Sequence, residues 1–348
     1  MALVVFLGRA LFIGVGLQTI LAISKYDAWI SIILGFIIGF IPILLICYMN
    51  KKNVNLFELI NSLFNKFFAK IINFIIIVFL LFSLIVLTND FINFTNVKYL
   101  FETPNFVIAI LFFIPALFLS HKGVETIGRS GLFLFFISTL ILIIICLALF
   151  KDIDINNIKP ILSKGILPVL KGALYFVVYT TTPILFLSII PKSDETYKKY
   201  NKSLIIGYII SFVSLFLTMF FITTIYNYEY ISLFSYPEYF TLKKIDYGFV
   251  SNVENILSFY FIIDYFFSMV VLLYSIFYYL SKELNLKENK LKIFSILLTI
   301  IIIILSITIY KDTTIALLVS QKPFVIINGI FLLIFLILIP IKIKLHKH

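Results

Sequence analysis

The sequence has few charged residues and few of the side chains that build catalytic or metal sites. Of its 348 residues 13% are charged and 62% hydrophobic, and the mean hydropathy is +1.12. A soluble domain is about half apolar and about a quarter charged, so this composition excludes a water-soluble globule. The two cysteines, Cys47 and Cys146, have no partner motif, which argues against a structural disulfide. The histidines, His121, His346 and His348, lie in a loop and at the tail, which excludes a histidine-based zinc or haem site inside a membrane.

Arginine is also scarce, because only Arg9 and Arg129 are found among the 28 basic residues. The lysines lie in short connectors between apolar runs, so the net charge of +11 indicates membrane orientation rather than a nucleic-acid partner. The longest connector, residues 228–255, has no arginine to bind a diphosphate, and no nucleophile motif or phosphate-binding loop occurs. We therefore expect no enzyme, no catalytic residues, no cofactor, no metal and no nucleic-acid partner.

Ten apolar runs follow one another, each long enough, or nearly so, to cross a bilayer. They cover residues 2–23, 28–49, 68–94, 105–120, 128–150, 166–190, 203–227, 256–281, 291–310 and 321–343. The first run lacks a basic leader and a small-residue cleavage site, which argues against a cleaved signal peptide. The sequence thus predicts an all-α integral membrane protein with about ten transmembrane helices in one domain, residues 1–348.

The distribution of basic residues predicts the orientation. Lysine and arginine are in excess in the connectors after the second, fourth, sixth and eighth runs and in the tail, whereas the other connectors are balanced. By the positive-inside rule, both termini are cytoplasmic and the 228–255 connector is outside. An even number of spans is consistent with this arrangement.

Ten helices divide into two sets of five, residues 1–150 and 160–343. An odd-numbered repeat places its second copy upside down, and in such transporters helices 1 and 6 are often broken at the midplane, where freed backbone groups hold a ligand. Candidate breakers and ligand-binding residues occur at corresponding places in both halves. They are Gly14 and Gly16 in helix 1 and Tyr179, Thr180, Thr181 and Thr182 in helix 6, followed by Pro183. Pro183 predicts a kink or unwinding there, while the glycines have the alternative of close helix packing.

Two charged residues within the predicted spans are singled out as candidates for ligand binding. Asp264 is expected to bind an ion, a proton or a ligand amine, or else to reach water from the outer end of its helix. Arg9 is expected to bind a ligand carboxylate, to pair with an acid, or to lie near cytoplasmic headgroups. Thr88, Asn89 and Asp90 end the third run, where a solvated helix terminus is favoured over a pocket cap.

Two further groups are assigned to architecture. The tyrosines of the 226–239 and 278–279 stretches are expected to form interfacial aromatic belts. Glu125 and Arg129, four residues apart, predict a helical ion pair.

Several short motifs resemble, in order and spacing, those of one family along nearly the whole chain. They are KYDAWIS at 25–31, NLFELI at 55–60, Thr103 with Pro104, GVETIGR at 123–129, Tyr236 with Pro237, and Val253 with Glu254. The family is that of the B subunits of spore germination receptors, permease-like members of the amino acid/polyamine/organocation superfamily. The chain departs from its pattern in having no proline after Gly16 and in having threonines in helix 6.

The resemblance implies a LeuT-like fold of five plus five helices in the spore inner membrane or bacterial cell membrane. It also implies a subunit that binds a small-molecule germinant, often an amino acid, in a permease-like pocket and signals to receptor A and C subunits. A secondary transporter of amino acids or cations is the alternative that the same fold supports.

Overall fold

The fold is described from a computed structural model, which covers residues 1–51, 55–189, 197–245, 252–309, 315 and 318–345. In these ranges the chain is almost entirely helical and has no strand. The helices are α1 (Ala2–Ala10), α2 (Leu17–Ser24), α3 (Ala28–Lys51), α4 (Leu56–Leu63), α5 (Lys66–Lys98), α6 (Asn105–Ser120), α7 (Val124–Leu149), α8 (Ile166–Leu185), α9 (Tyr197–Ile225), α10 (Tyr228–Ile231), α11 (Pro237–Leu242), α12 (Val253–Leu257), α13 (Phe259–Glu283), α14 (Glu288–Thr308) and α15 (Val325–Leu345).

The all-α membrane fold predicted from composition is confirmed. In the described ranges, eight helical segments are long and apolar enough to cross a membrane, and the shorter α6 is also apolar. Each of the ten predicted runs contains a helix, and the first contains the two half-helices α1 and α2. The number of spans, the inverted repeat and the orientation stay predictions.

The helices divide into an interior set and a peripheral set. In the segments that contain α8 and α13, 78% of the most apolar stretch is buried, against 22% for those that contain α7 and α14. α1 packs against α7, α8, α9 and α13, so it lies in the interior although it begins the chain. The outward faces of α7 and α14 carry exposed Phe, Leu and Ile, as expected of surfaces in contact with lipid.

Small residues allow two interior helices to approach closely. A Cβ on Gly35 of α3 would lie 2.9 Å from the Ala173 carbonyl oxygen, and one on Gly172 of α8 would lie 2.7 Å from Ser31 Oγ. Without a hydrophobic driving force between helices in lipid, such close backbone packing is a main source of association. The α3–α8 contact therefore fixes α8 beside the first half of the chain.

Local signals define several helix ends. Asn55 and Glu58 form a capping box at the start of α4, and Asn65 Oδ1 accepts a hydrogen bond of 3.0 Å from the Phe68 amide at the start of α5. The predicted pair of Glu125 and Arg129 is confirmed, with 2.5 Å between Oε1 and Nη2 and both side chains about four-fifths exposed.

Candidate functional site

The break predicted in the first helix is confirmed. Between α1 and α2 the segment Phe12–Gly16 leaves helical geometry, with Ile13 at ψ 138° and Gly14 at φ 77° and ψ −109°. A positive φ of this size favours glycine, which has no Cβ to clash. A Cβ on Gly14 would also lie 2.8 Å from Asp90 Oδ2. Gly14 is thus required both for the turn of the backbone and for the approach of a carboxylate.

Asp90 of α5 faces this break and is only 7% exposed. The Tyr265 hydroxyl of α13 donates to Asp90 Oδ2 at 2.7 Å, and the Tyr236 hydroxyl lies 3.4 Å from Oδ1. Tyr265 also lies 3.3 Å from the Ile13 carbonyl oxygen, but its single hydrogen serves the shorter contact. The Ile13 carbonyl, freed from helical bonding, therefore remains an acceptor beside a buried carboxylate.

Arg9 and Asp264 are brought together by α1 and α13. Arg9 Nη2 lies 2.5 Å from Asp264 Oδ1 and donates to Ser138 Oγ at 2.9 Å, and both charged side chains are at most 2% exposed. For Arg9, the predicted pairing with an acid is confirmed and the predicted position near the headgroups is wrong. For Asp264, the predicted contact with water at the outer end of its helix is wrong. Asp264 Oδ2 and Arg9 Nε have no hydrogen-bond partner within the described ranges. A direct role of either residue in ligand binding stays a prediction.

The unwinding predicted at Tyr179–Pro183 is wrong, since these residues remain inside α8, which continues to Leu185. A tighter 3₁₀ turn, Phe186–Ile189, begins three residues after Pro183. Proline lacks the amide hydrogen and crowds only the turn before it, and the buried surroundings of α8 maintain the helix there. The change in helical geometry therefore comes after the predicted residues.

The predicted binding residues of α8 are buried, and one of them, Tyr179, lies beside the break. Tyr179 lies against Gly16, where a Cβ would be 3.1 Å from its ring, and its hydroxyl donates to the Ser320 carbonyl at 2.6 Å. The Thr180 hydroxyl donates to the Phe176 carbonyl at 2.8 Å. The remaining two threonines are also fully buried: Thr181 Oγ1 is 3.4 Å from the Tyr208 hydroxyl, and Thr182 Oγ1 has no partner in the described part of the chain. Gly16 and Tyr179 thus border the break directly.

Glu238 is a buried carboxylate that sequence reasoning missed. It lies in α11, part of the 228–255 connector, and is only 2% exposed because α11 packs against α9 and the broken segment. Burial, together with the nearby Asp90, raises the pKa of Glu238 to about 8, while the charge of Lys98 acts in the opposite direction. No side chain in the described ranges forms a hydrogen bond with the carboxylate, and the backbone amides of Gly14 and of Glu238 itself lower its pKa without offsetting the effect of burial.

Two architectural predictions are corrected at the site. The solvated terminus expected at Thr88–Asp90 is wrong, because α5 continues to Lys98 and these residues are buried within it. The interfacial belt is wrong for Tyr236 and Tyr239, which are buried. The α11 part of the connector packs into the bundle instead of lying along its surface, and no local sequence pattern distinguished these two arrangements.

The chain is similar to proteins named for spore germination. It matches a family model described as spore germination protein over residues 2–314. It is 26% identical over 250 residues to YfkT of Bacillus subtilis, whose name refers to spore germination, with 69% of this chain and 67% of the relative aligned. For spore germination protein KB of the same organism the identity is 24% over 200 residues, covering 54% of this chain and 51% of the relative. For spore germination protein A2 it is 25% over 257 residues, with 70% and 68% covered. The aligned part thus spans from about half to about two thirds of these relatives.

Proposed function

Since the chain belongs to the family of spore germination proteins, we propose that it is the subunit of a germination receptor that binds a small-molecule germinant. It is an integral membrane protein of the spore inner membrane or the cell membrane. One observation carries the proposal: the helix break at Ile13 and Gly14 faces the buried carboxylate of Asp90. A bent interior helix beside a buried charge supplies backbone and side-chain groups to a ligand.

An amino acid suits the groups at this break. Its ammonium group finds acceptors in the Asp90 carboxylate and the Ile13 carbonyl, both contacted by Tyr265. Its carboxylate suits the first turn of α2, where the amides at a helix N-terminus carry partial positive charge. The buried ring of Tyr179 in α8 lies against Gly16 at the same break. We therefore infer that the germinant is a small amino acid, bound between the two half-helices.

The test is germinant-triggered release of dipicolinate from spores that carry variants of this gene. Tyr265→Phe removes the hydroxyl that donates to Asp90, and Tyr274→Phe, on the same helix and without a contact to the break, is the matched control. Without this donor the Asp90 carboxylate is no longer held at the break, and the ammonium group of the ligand loses a hydrogen bond to a charged group that contributes about 1.5–3 kcal/mol, so the germinant concentration for half-maximal release should rise roughly tenfold or more. The control should respond like the parent.

An unchanged dose response in Tyr265→Phe, at equal protein level, would place the ligand elsewhere. Signalling to A and C subunits is tested by co-purification from spore membranes, where both partners should be recovered with this chain. Uptake of the same amino acid into proteoliposomes by the isolated chain, without any partner, would support the transporter alternative instead.

A further inference from the structure

A cavity of about 320 Å³ lies at the end of the bundle where α7 and α9 begin. Volumes of about 300–1,000 Å³ are typical of sites that bind small molecules. The first turn of α1 closes one side of the cavity, Val124, Gly128 and Leu132 of α7 form a second, and Ser203 and Leu204 of α9 form a third. The first turn of α1 is roughly 15 Å along the chain direction from the helix break, so this cavity is separate from it.

The cavity is open towards the outer surface of α7. A Cβ on Gly128 would have no neighbour within 4 Å, whereas one on Gly131 would lie 3.2 Å from the Leu3 side chain. Gly131 is thus packed against α1, while Gly128 borders empty space. Leu132 is 43% exposed and Leu204 is 1% exposed. The cavity therefore extends from the surface that α7 presents to lipid to buried side chains of α9.

The side chains around the cavity are apolar apart from Tyr200 and Ser203. The Tyr200 hydroxyl donates its hydrogen to the Leu187 carbonyl at 3.0 Å, so that hydrogen is already used. An apolar cavity that opens towards a bilayer suits a hydrocarbon chain. Because lipid tails are as apolar as leucine, such a chain gains little over its place in the bilayer, and selectivity must come from the headgroup.

The beginning of α9 supplies positive charge at this cavity. Lys198, Lys199 and Lys202 are exposed, and the first turn of α9 has no acidic residue. None of the three forms an ion pair in the described part of the chain. Lys199 precedes Ser203 by four residues, so it lies on the same face of α9, one turn nearer to the helix end.

The beginning of α7 adds no net negative charge. Glu125, the acid of its first turn, is bound to Arg129 at 2.5 Å. The free amides in the first turns of α7 and α9 carry partial positive charge as well. This end of the cavity therefore suits an anionic group, and a lysine binds a phosphate as a point charge.

We propose that the cavity binds one acyl chain of an anionic phospholipid, with Lys199 beside the phosphate. The chain occupies the space between Gly128 and the first turn of α1, and it supports the half-helix that carries Arg9. A zwitterionic phospholipid has the same chain, but its own ammonium group reduces the attraction to the lysine. The site does not depend on the germinant function proposed above.

The test is photo-cross-linking of the full-length protein, stripped of native lipid in detergent, to a phosphatidylglycerol that carries a diazirine on its acyl chain. The wild type should be labelled saturably on the α7 peptide that contains Gly128. Unlabelled phosphatidylglycerol should displace the label at a roughly fivefold lower mole fraction than phosphatidylcholine, which is the effect of about one lysine on an anionic headgroup. Glycerol 3-phosphate, which has the phosphate without a chain, should not displace it.

Two kinds of variant separate the chain from the headgroup. Gly128→Leu fills the cavity and should abolish the labelling, and it should fold because leucine is a better helix former than glycine. Lys199→Gln should weaken binding roughly fivefold. Lys198→Gln should leave it unchanged, because residues diverge by about 100° along a helix and Lys198 lies on the side of α9 away from Ser203.

Labelling of the wild type that does not saturate, or equal displacement by the two phospholipids, would overturn the proposal. Labelling of Gly128→Leu equal to that of the wild type would do the same, as would equal effects of Lys199→Gln and Lys198→Gln. If Gly128→Leu does not fold, the two lysine variants carry the test.

Discussion

Substitution of one member of the buried Arg9–Asp264 ion pair should destabilise the protein far more than substitution of one member of an exposed ion pair with the same N–O distance. Arg9 Nη2 and Asp264 Oδ1 are 2.5 Å apart, and neither side chain is more than 2% exposed. Asp264→Asn keeps the side-chain shape but leaves the guanidinium with uncharged partners such as Ser138. Breaking a buried pair in this way costs about 3–5 kcal/mol, because the remaining charge is uncompensated.

The chain offers a matched control. Glu125 and Arg129 are also 2.5 Å apart, but their side chains are 79–80% exposed. Exposed pairs contribute about 0.2–1 kcal/mol, because water solvates either partner alone. Asp264→Asn should therefore lower the free energy of unfolding more than Glu125→Gln does, and the difference should be at least about 2 kcal/mol. Since the two pairs have the same length, the difference measures the effect of burial.

The assay is unfolding of the purified protein in mixed micelles, followed by the fluorescence of Trp29, the single tryptophan of the sequence. A double variant, Arg9→Met with Asp264→Leu, removes both charges and should recover most of the stability that Asp264→Asn loses. The pair is not a coupled buried unit if Asp264→Asn lowers the free energy of unfolding no more than Glu125→Gln does. The same conclusion holds if the double variant is less stable than Asp264→Asn.

Three further outcomes are expected. Gly14→Ala should destabilise the protein by more than the roughly 1–2 kcal/mol that a left-handed conformation costs an L-residue. Gly123→Ala, at φ 83° with no neighbour within 4 Å, should cost only that amount in the same unfolding assay. Equal costs for the two substitutions would contradict the close approach of Asp90 to Gly14. Tyr179→Phe should lower the free energy of unfolding by about 1–3 kcal/mol, because the Ser320 carbonyl loses its donor at 2.6 Å, and an unchanged midpoint would refute this contribution. A rise from about pH 5 to about pH 8 should lower the Tm of the wild type more than that of Glu238→Gln. The folded carboxyl has a pKa of about 8 against an ordinary 4.5, so the folded state keeps a proton that the unfolded state releases; identical pH profiles would exclude this.

The parts of the fold that could be predicted are those with a strong local signal. Runs of apolar residues predicted helices in all ten places, because bilayer thickness imposes a minimum length on a spanning helix. The break at Gly14 was found because glycine in a helix interior is costly and marks an unusual backbone. Arg9 and Asp264 were recognised as exceptional because charge is rare within apolar runs. Pairing of Arg9 with an acid was one of several alternatives, and the acid was not identified, because Asp264 lies 255 positions away.

The residues that were missed or given another role are brought to the site by tertiary folding. Asp90 lies at the end of an apolar run, where a carboxylate is ordinary in sequence terms, but α5 extends past it to Lys98. Glu238 and Tyr236 lie in a polar connector that looks like any solvated loop. Only the packing of α11 against the bundle converts them into buried groups. Proline-induced unwinding of α8 was predicted from local sterics, and tertiary support of the helix prevented it.

Adjacent residues of α13 contact the first half-helix and the break that follows it. Asp264 holds Arg9 in the half-helix before it, and Tyr265 contacts the Ile13 carbonyl and Asp90 at the break itself. Successive side chains on a helix diverge by about 100°, so one rotation of α13 about its axis moves both contacts at once. Both contacts therefore depend on the position of α13: a rotation that moved Tyr265 away from Asp90 would also move Asp264, which is bound to Arg9 of α1.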